Sequence, residues 1–124
     1  MSSSTSNITT SFPTILGGVI GDLRKQQGLS QGEFAERMGL GQSTWSRIEK
    51  GASGMSIEQL AQAAEILEIR SSELIAMAEK VMDDLRAQDI NVENKRSGGA
   101  SATSIVLGTA ALALLIAAIT RTRK

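Results

Sequence analysis

Apolar residues recur at helical spacing along most of the chain between residues 15 and 85. Residues three and four positions apart lie on one face of an α-helix, and five such faces follow one another. Their members are Ile15, Leu16, Val19, Ile20 and Leu23; then Phe34, Ala35 and Met38; then Trp45 and Ile48; then Ile57, Leu60, Ala64 and Leu67; and last Leu74, Ile75, Ala78, Val81, Met82 and Leu85. No segment has the two-residue alternation of a strand, so the sequence predicts an all-α fold.

The polar residues between these faces mark where the helices begin and end. Ser30 is followed three residues later by Glu33, and Ser56 by Gln59, which is the spacing of a capping box at a helix N-terminus. Gly39 ends the second helix after only about two turns. The second and third helices are therefore short and joined by a sharp turn. This is the pattern of a helix-turn-helix, whose second helix can enter a DNA major groove.

The regions on both sides of the helices differ in composition. The start is rich in Ser and Thr and has no apolar face, which predicts a disordered arm. The region after the fifth helix is polar and Gly/Ser-rich, which is typical of a linker. The predicted organisation is an arm at 1–13, a helical domain at 14–88, a linker at 89–104, a hydrophobic helix at 105–120 and a basic tail at 121–124.

Residues 97–120 are 24 residues without a charged side chain, with an apolar centre at 105–119. The full run is long enough to span a bilayer, whereas the centre alone is short. One interpretation is an anchor in the inner membrane, and the other is a helix buried by self-association. The absence of charge on every face favours the anchor. In that case the folded domain before it is cytoplasmic, which agrees with a start that lacks the features of a signal peptide.

The amino-acid composition excludes several kinds of catalytic and metal-binding site. The chain contains no cysteine and no histidine. This excludes disulfides and thiol nucleophiles, as well as the usual zinc sites and the commonest general base. The carboxylates show no catalytic arrangement. We therefore expect no enzymatic activity, no cofactor and no metal site.

The zero net charge hides an uneven distribution. Residues 14–56 carry five basic and four acidic side chains, residues 57–94 carry three and nine, and residues 95–124 carry five basic ones. No segment is basic enough to bind nucleic acid by charge alone. Binding to DNA would have to come from specific contacts.

The stretch from Gln31 to Lys50 resembles the helix-turn-helix of the Cro/CI (XRE) family, typified by phage lambda repressor. That family has a small residue between the two helices, here Ala35, and a glycine in the turn, here Gly39. Its apolar positions are matched by Phe34, Met38, Leu40, Trp45 and Ile48. The resemblance covers roughly residues 15–75. It implies a five-helix, lambda-repressor-like DNA-binding domain, here followed by a linker and one hydrophobic helix.

The resemblance also implies roles for individual residues. Those assigned to contact double-stranded DNA are Gln31, Gln42, Ser43, Thr44, Ser46, Arg47 and Lys50. Glutamine suits adenine, and arginine suits guanine or phosphate. Simple capping of the helix by Gln42 and Ser43, and a solvated face at Arg47 and Lys50, are the alternatives. Arg24 and Glu49 resemble the buried ion pair that links the first and third helices of the family.

These features predict a transcription regulator that binds an operator as a dimer. The apolar stripe from Leu74 to Leu85 exceeds what a five-helix core needs, so it suggests a homodimer surface, unless it packs back on the domain. A second hypothesis is a membrane-anchored interaction protein of the RodZ type, in which the same fold binds a protein partner. The polar third helix favours DNA.

Overall fold

A computed structural model of the protein describes residues 8–94 and 105–122. In these residues the chain forms six helices and three short strands. In chain order they are β1 (Ile8–Ser11), α1 (Phe12–Gln26), α2 (Gln31–Met38), α3 (Gln42–Glu49), α4 (Ile57–Leu67), α5 (Ser71–Ala87), β2 (Asn91–Glu93), β3 (Ile105–Val106) and α6 (Thr109–Arg121). The five predicted helices of the domain and the additional C-terminal helix are confirmed. The C-terminal helix begins at Thr109, however, and residues 105–106, which were predicted as part of it, form β3.

Two of the helix starts have the predicted capping boxes. Ser30 Oγ accepts a hydrogen bond from the Glu33 N–H at 3.0 Å, and the Glu33 carboxylate accepts one from the Ser30 N–H at 2.8 Å. The same reciprocal pair joins Ser56 and Gln59 at the start of α4. Each pair satisfies two backbone N–H groups that the first turn of a helix leaves without partners. The capping signals therefore located these two helix ends correctly.

The strands correct the prediction that the chain contains none. Residues 8–11 were expected in a disordered arm, but β1 is the central strand of a small parallel sheet in the order β2-β1-β3. Thr10 pairs with Val92, and Thr9 pairs with Val106. The strands are two to four residues long and come from opposite ends of the chain. Such short parallel pairings have no local hairpin signal, because the partners are far apart in sequence.

Helix α1 forms the centre of the core. Ile15, Val19, Ile20 and Leu23 are completely buried, and α1 packs against α3, α5 and α6. Complete burial of an aliphatic side chain contributes roughly 1.5–3 kcal/mol. Because α1 contacts all five of the other described helices, most of the domain is built around this one element.

Close packing around α1 depends on glycine. A β-carbon at Gly17 would collide with the backbone carbonyl oxygens of Ile48 and Glu49 at the end of α3. On the neighbouring side of the helix, a β-carbon at Gly18 would lie 2.6 Å from Ile116 Cδ1 in α6. Glycine within a helix costs about 0.5–1 kcal/mol relative to alanine. Here it allows two other helices to approach the backbone of α1 closely.

The hydrophobic segment is folded onto the domain. Helix α6 has 13 residues, and Leu112, Ile116 and Ile119 on one face are buried against α1 and α5. Leu114 on the other face is 75% exposed. Among the helices of residues 8–94 and 105–122, none combines the length and hydropathy needed to cross a bilayer. The predicted membrane anchor therefore has no support in the described residues, and the apolar face of α6 is buried within the chain itself.

The long stripe of α5 is also covered within the chain. Leu74, Ala78, Val81 and Leu85 are 0–3% exposed, because α5 packs against α1, α4, α6 and β2. The length of this apolar stripe, which suggested a dimer surface, is thus explained by the additional partners α6 and β2. The alternative, that the helix packs back on its own domain, is confirmed.

Candidate nucleic-acid interface

The turn between α2 and α3 is fixed by its backbone. Gly39 adopts a left-handed conformation with φ of 74°, which glycine reaches without steric cost. The Gly39 N–H donates to the Glu36 carbonyl at 3.0 Å, and the Leu40 N–H donates to the Ala35 carbonyl at 2.9 Å. These bonds close the end of α2 in a Schellman-like arrangement and turn the chain sharply. Leu40 is half-buried against the core, as predicted, and Gly41 is the N-cap of α3.

Helix α3 has one buried side and one solvent-facing side. Trp45 and Ile48 are buried, and the Trp45 ring stacks on Phe34 of α2 with centroids 4.9 Å apart. The prediction that Trp45 belongs to the core is therefore confirmed. Of the predicted contact residues in and beside this helix, Ser46 is half-buried and the others are exposed: Gln42, Ser43, Thr44, Arg47 and Lys50. The structure thus brings the predicted α3 residues together on one outer surface.

The side chains at the start of α3 are uncommitted. Gln42 lies over Gly32 of α2, where a β-carbon would be 3.3 Å from Gln42 Oε1. The side chains of Gln42, Ser43 and Thr44 make no hydrogen bond to the rest of the described chain. Capping of α3 by the Gln42 or Ser43 side chain, the alternative to a DNA contact, is not observed. The N-cap is Gly41, and no side-chain hydrogen bond caps the helix.

The two basic residues of this surface, Arg47 and Lys50, differ in their contacts with the rest of the protein. Arg47 Nε donates to Ser53 Oγ at 3.3 Å, so the loop after α3 holds its guanidinium. Ser53 was not predicted as part of the site, and its small polar side chain in a Gly/Ser loop gave no signal for this role. Lys50 at the end of α3 has no ion pair within the described residues. Its ammonium group is therefore available to an anion from solution.

Behind this surface lies the predicted ion pair. Arg24 Nε donates to Glu49 Oε2 at 2.8 Å, and Arg24 Nη2 donates to Glu49 Oε1 at 3.2 Å. The two side chains are only 7% and 9% exposed. Arg24 Nη1 also donates to the Leu29 carbonyl at 2.8 Å, just before the N-cap of α2. The buried link between α1 and α3 is confirmed.

Gln31 is connected to the same carboxylate. Its Nε2 donates to Glu49 Oε1 at 3.0 Å, and the Trp45 indole N–H donates to Glu49 Oε2 at 2.6 Å. Gln31 therefore braces the ion pair behind α3. Its contact with a phosphate stays a prediction, as do the DNA contacts of the α3 residues.

Comparisons with known proteins agree with this geometry. A family model described as a helix-turn-helix domain matches residues 15–76. Among solved structures, the clp gene regulator ClgR from Corynebacterium glutamicum has a TM-score of 0.60 and 24% identity, and the match covers 63% of this chain and 83% of that one. A mutant of the restriction-modification controller protein C.Esp1396I has a TM-score of 0.54 and 22% identity, with 59% and 95% covered. No curated protein sequence matches the chain.

Proposed function

This chain belongs to the helix-turn-helix family, and we propose that it is a sequence-specific DNA-binding transcription regulator. The observation that carries the proposal is the outer surface of α3, where uncommitted polar side chains lie opposite a buried Trp45 and Ile48. In this fold the second helix of the motif enters the major groove, and the first helix crosses the backbone. The proposal assigns these roles to α3 and α2.

Gln42 and Ser43 are the residues that we propose to read bases. The Gln42 amide offers one donor and one acceptor, which match N7 and N6 of adenine in the major groove. The serine hydroxyl can pair with either a donor or an acceptor on a base. Both lie at the N-terminal end of α3, the part of a recognition helix that meets base edges. Thr44 and Ser46 are secondary candidates on the same helix.

Arg47, Lys50 and Gln31 are proposed to contact phosphates. Phosphate contacts position the protein and supply affinity that depends on salt. Residues 14–56 carry only one more basic than acidic side chain, so a single domain gains little from charge. We therefore propose that two chains bind adjacent half-sites of an operator, which doubles the contacts.

A regulator that binds the genome of a bacterium or phage works in the cytoplasm, and we place the domain there. The observed packing of α6 on α1 keeps the C-terminal helix with the DNA-binding domain.

Selection from a random duplex library with the full-length chain tests the proposal. We expect enrichment of an inverted repeat whose half-site centres lie about one helical turn apart. The variant that carries Arg47→Ala and Lys50→Ala is the control for phosphate contacts and should enrich little. Absence of any enriched sequence with the unmodified chain would contradict the proposal and favour a RodZ-type role, in which the fold binds a protein partner.

A further inference from the structure

A cavity of about 370 Å³ lies between α1, the end of α3 and α6. This volume falls within the range of small-molecule sites in proteins. Its body is apolar, with walls that include Gly18 on α1, Leu112 and Ile116 on α6, and Leu107 just before α6. We propose that this cavity binds a small amphipathic monoanion, a carboxylate with one apolar chain.

The acidic groups in the wall already have hydrogen-bonding partners within the protein. Each oxygen of the Glu49 carboxylate accepts two hydrogen bonds, from the donors described above. Asp22 Oδ2 accepts from Gln26 Nε2 at 2.8 Å and from Thr120 Oγ1 at 2.6 Å. Arg121 Nη2 lies 4.0 Å from Asp22 Oδ1. These carboxylates are therefore poor partners for a cationic ligand.

The two lysines in the wall, unlike the carboxylates, lack a charged partner in the described part of the chain. Lys25 on α1 and Lys50 at the end of α3 line the cavity, and both are exposed. In the described part of the chain neither forms an ion pair. A ligand whose apolar part fills the body and whose carboxylate meets these ammonium groups would satisfy both the apolar wall and the unpaired charges. This charge complementarity distinguishes an anion from a neutral or cationic molecule of equal length.

Occupation of the cavity has a consequence for DNA, and this part rests on the proposed function. Lys50 is a candidate phosphate contact, so a carboxylate bound to it would compete with the operator backbone. The ligand would also contact Ile116 and Leu112, which hold α6 on the domain. We therefore expect the ligand to lower operator affinity.

The site is tested without DNA by titrating the full-length chain with octanoate, using calorimetry and the fluorescence of Trp45, the sole tryptophan. The Trp45 indole bonds to Glu49, which lines the cavity, so its emission should respond. Octan-1-ol and octylamine are the matched neutral and cationic probes. Ala113→Phe, at an exposed position in the cavity wall, is expected to abolish binding, and Lys25→Gln to weaken it several-fold. Lys80→Gln on α5, outside the cavity, should leave binding unchanged.

Saturable octanoate binding with this variant pattern, and weaker binding of the other two probes, supports the site. Absence of saturable binding would overturn it, as would equal binding of all three probes or unchanged binding by folded Ala113→Phe, with folding checked by circular dichroism. A second titration with the selected duplex present tests the effect on DNA. If octanoate binds without lowering operator affinity, only the proposed effect on DNA binding is overturned. If the library selection fails, the result of the first titration still stands.

Discussion

Arg24 and Glu49 form a two-point ion pair in which Arg24 Nε lies 2.8 Å from one carboxylate oxygen of Glu49 and Nη2 lies 3.2 Å from the other. The same carboxylate accepts hydrogen bonds from Gln31 of α2 and Trp45 of α3. One buried acidic group therefore joins the three helices that set the orientation of the recognition surface. The position of α3 depends on this group as well as on apolar packing.

Removal of one member of the pair should destabilise the domain strongly. Glu49→Met leaves the Arg24 guanidinium, the Gln31 amide and the Trp45 indole without an acceptor, and breaking a buried pair costs about 3–5 kcal/mol. Arg24→Met together with Glu49→Met should cost less than the sum of the two single changes. Urea unfolding measures all three. Strictly additive costs would contradict the interpretation. Lys80→Met, which breaks an exposed pair with Asp84, should cost less than about 1 kcal/mol.

The packing of α6 should depend on one of its faces. Ile116 is 2% exposed, and truncation of a buried isoleucine to alanine costs about 2–5 kcal/mol. We expect Ile116→Ala to accelerate hydrogen exchange of the α6 amides while α2 and α3 keep their protection. Leu114→Ala is the matched control on the opposite face, where the side chain is 75% exposed, and it should change little. Similar exchange in both variants would show that α6 is not held by this face.

The start of α2 should respond to pH. The pKa of Glu33 is lowered, first by the hydrogen bond from the backbone N–H of Ser30 and further by the Ser30 side chain. A lowered pKa in the folded state means that the ionised group adds stability above the pKa of the unfolded chain. This stability is lost as pH falls through the folded value. Glu33→Gln should therefore lower Tm at neutral pH, and the difference should vanish in acid.

The second capping box provides the comparison for this pH effect. Gln59 occupies the position of Glu33 there but does not titrate. Over the pH range in which the rest of the protein is unchanged, Gln59→Ala should lower Tm by the same amount at every pH. A Glu33→Gln difference that persisted unchanged into acid would mean that the charge of Glu33 has no part in the cap.

The role of Lys50 can be separated from base reading by salt dependence. If Lys50 contacts a phosphate, Lys50→Gln should weaken binding to selected and unrelated duplexes alike and reduce the salt slope of log K by about 1. Lys80→Gln should leave both the affinity and the slope as they are. Loss of discrimination between duplexes in Lys50→Gln, with an unchanged slope, would contradict a phosphate contact.

The sequence predicted the parts of the fold that depend on local signals. The helical faces, the capping boxes at Ser30 and Ser56, and the turn at Gly39 each involve residues close in sequence. The structure confirms them, except that Ile57 of the fourth face is 83% exposed. The outer surface of α3 followed from the same periodicity, because Trp45 and Ile48 define the buried side. The Arg24–Glu49 pair came from the family resemblance, since nothing local connects residues so far apart.

The features that were missed depend on contacts between distant segments. The partner of β1 in β2 lies 82 residues further along, and the partner of Ile116 is Gly18 at the other end of the chain. One signal was present in "LGGVIG", because glycines inside a strongly helical pattern indicate close approach of another element. A second was "SFPT", where Ser11 caps α1 and Pro13 lies in its first turn. Hydropathy alone made the C-terminal run resemble a membrane anchor, since a buried face and a lipid-facing one are equally apolar.

The central claim is that Gln42 and Ser43 read bases, and library selection with the double variant Gln42→Ala/Ser43→Ala, run beside the unmodified chain, tests it most directly. Each lost base contact should remove about 1–3 kcal/mol of discrimination. We expect the unmodified chain to enrich an inverted repeat, and the folded double variant to bind DNA with a relaxed preference at the positions that these residues contact. Ser72→Ala, at an exposed position of α5, should enrich the same repeat as the unmodified chain. Enrichment of an identical repeat by the double variant would contradict the claim.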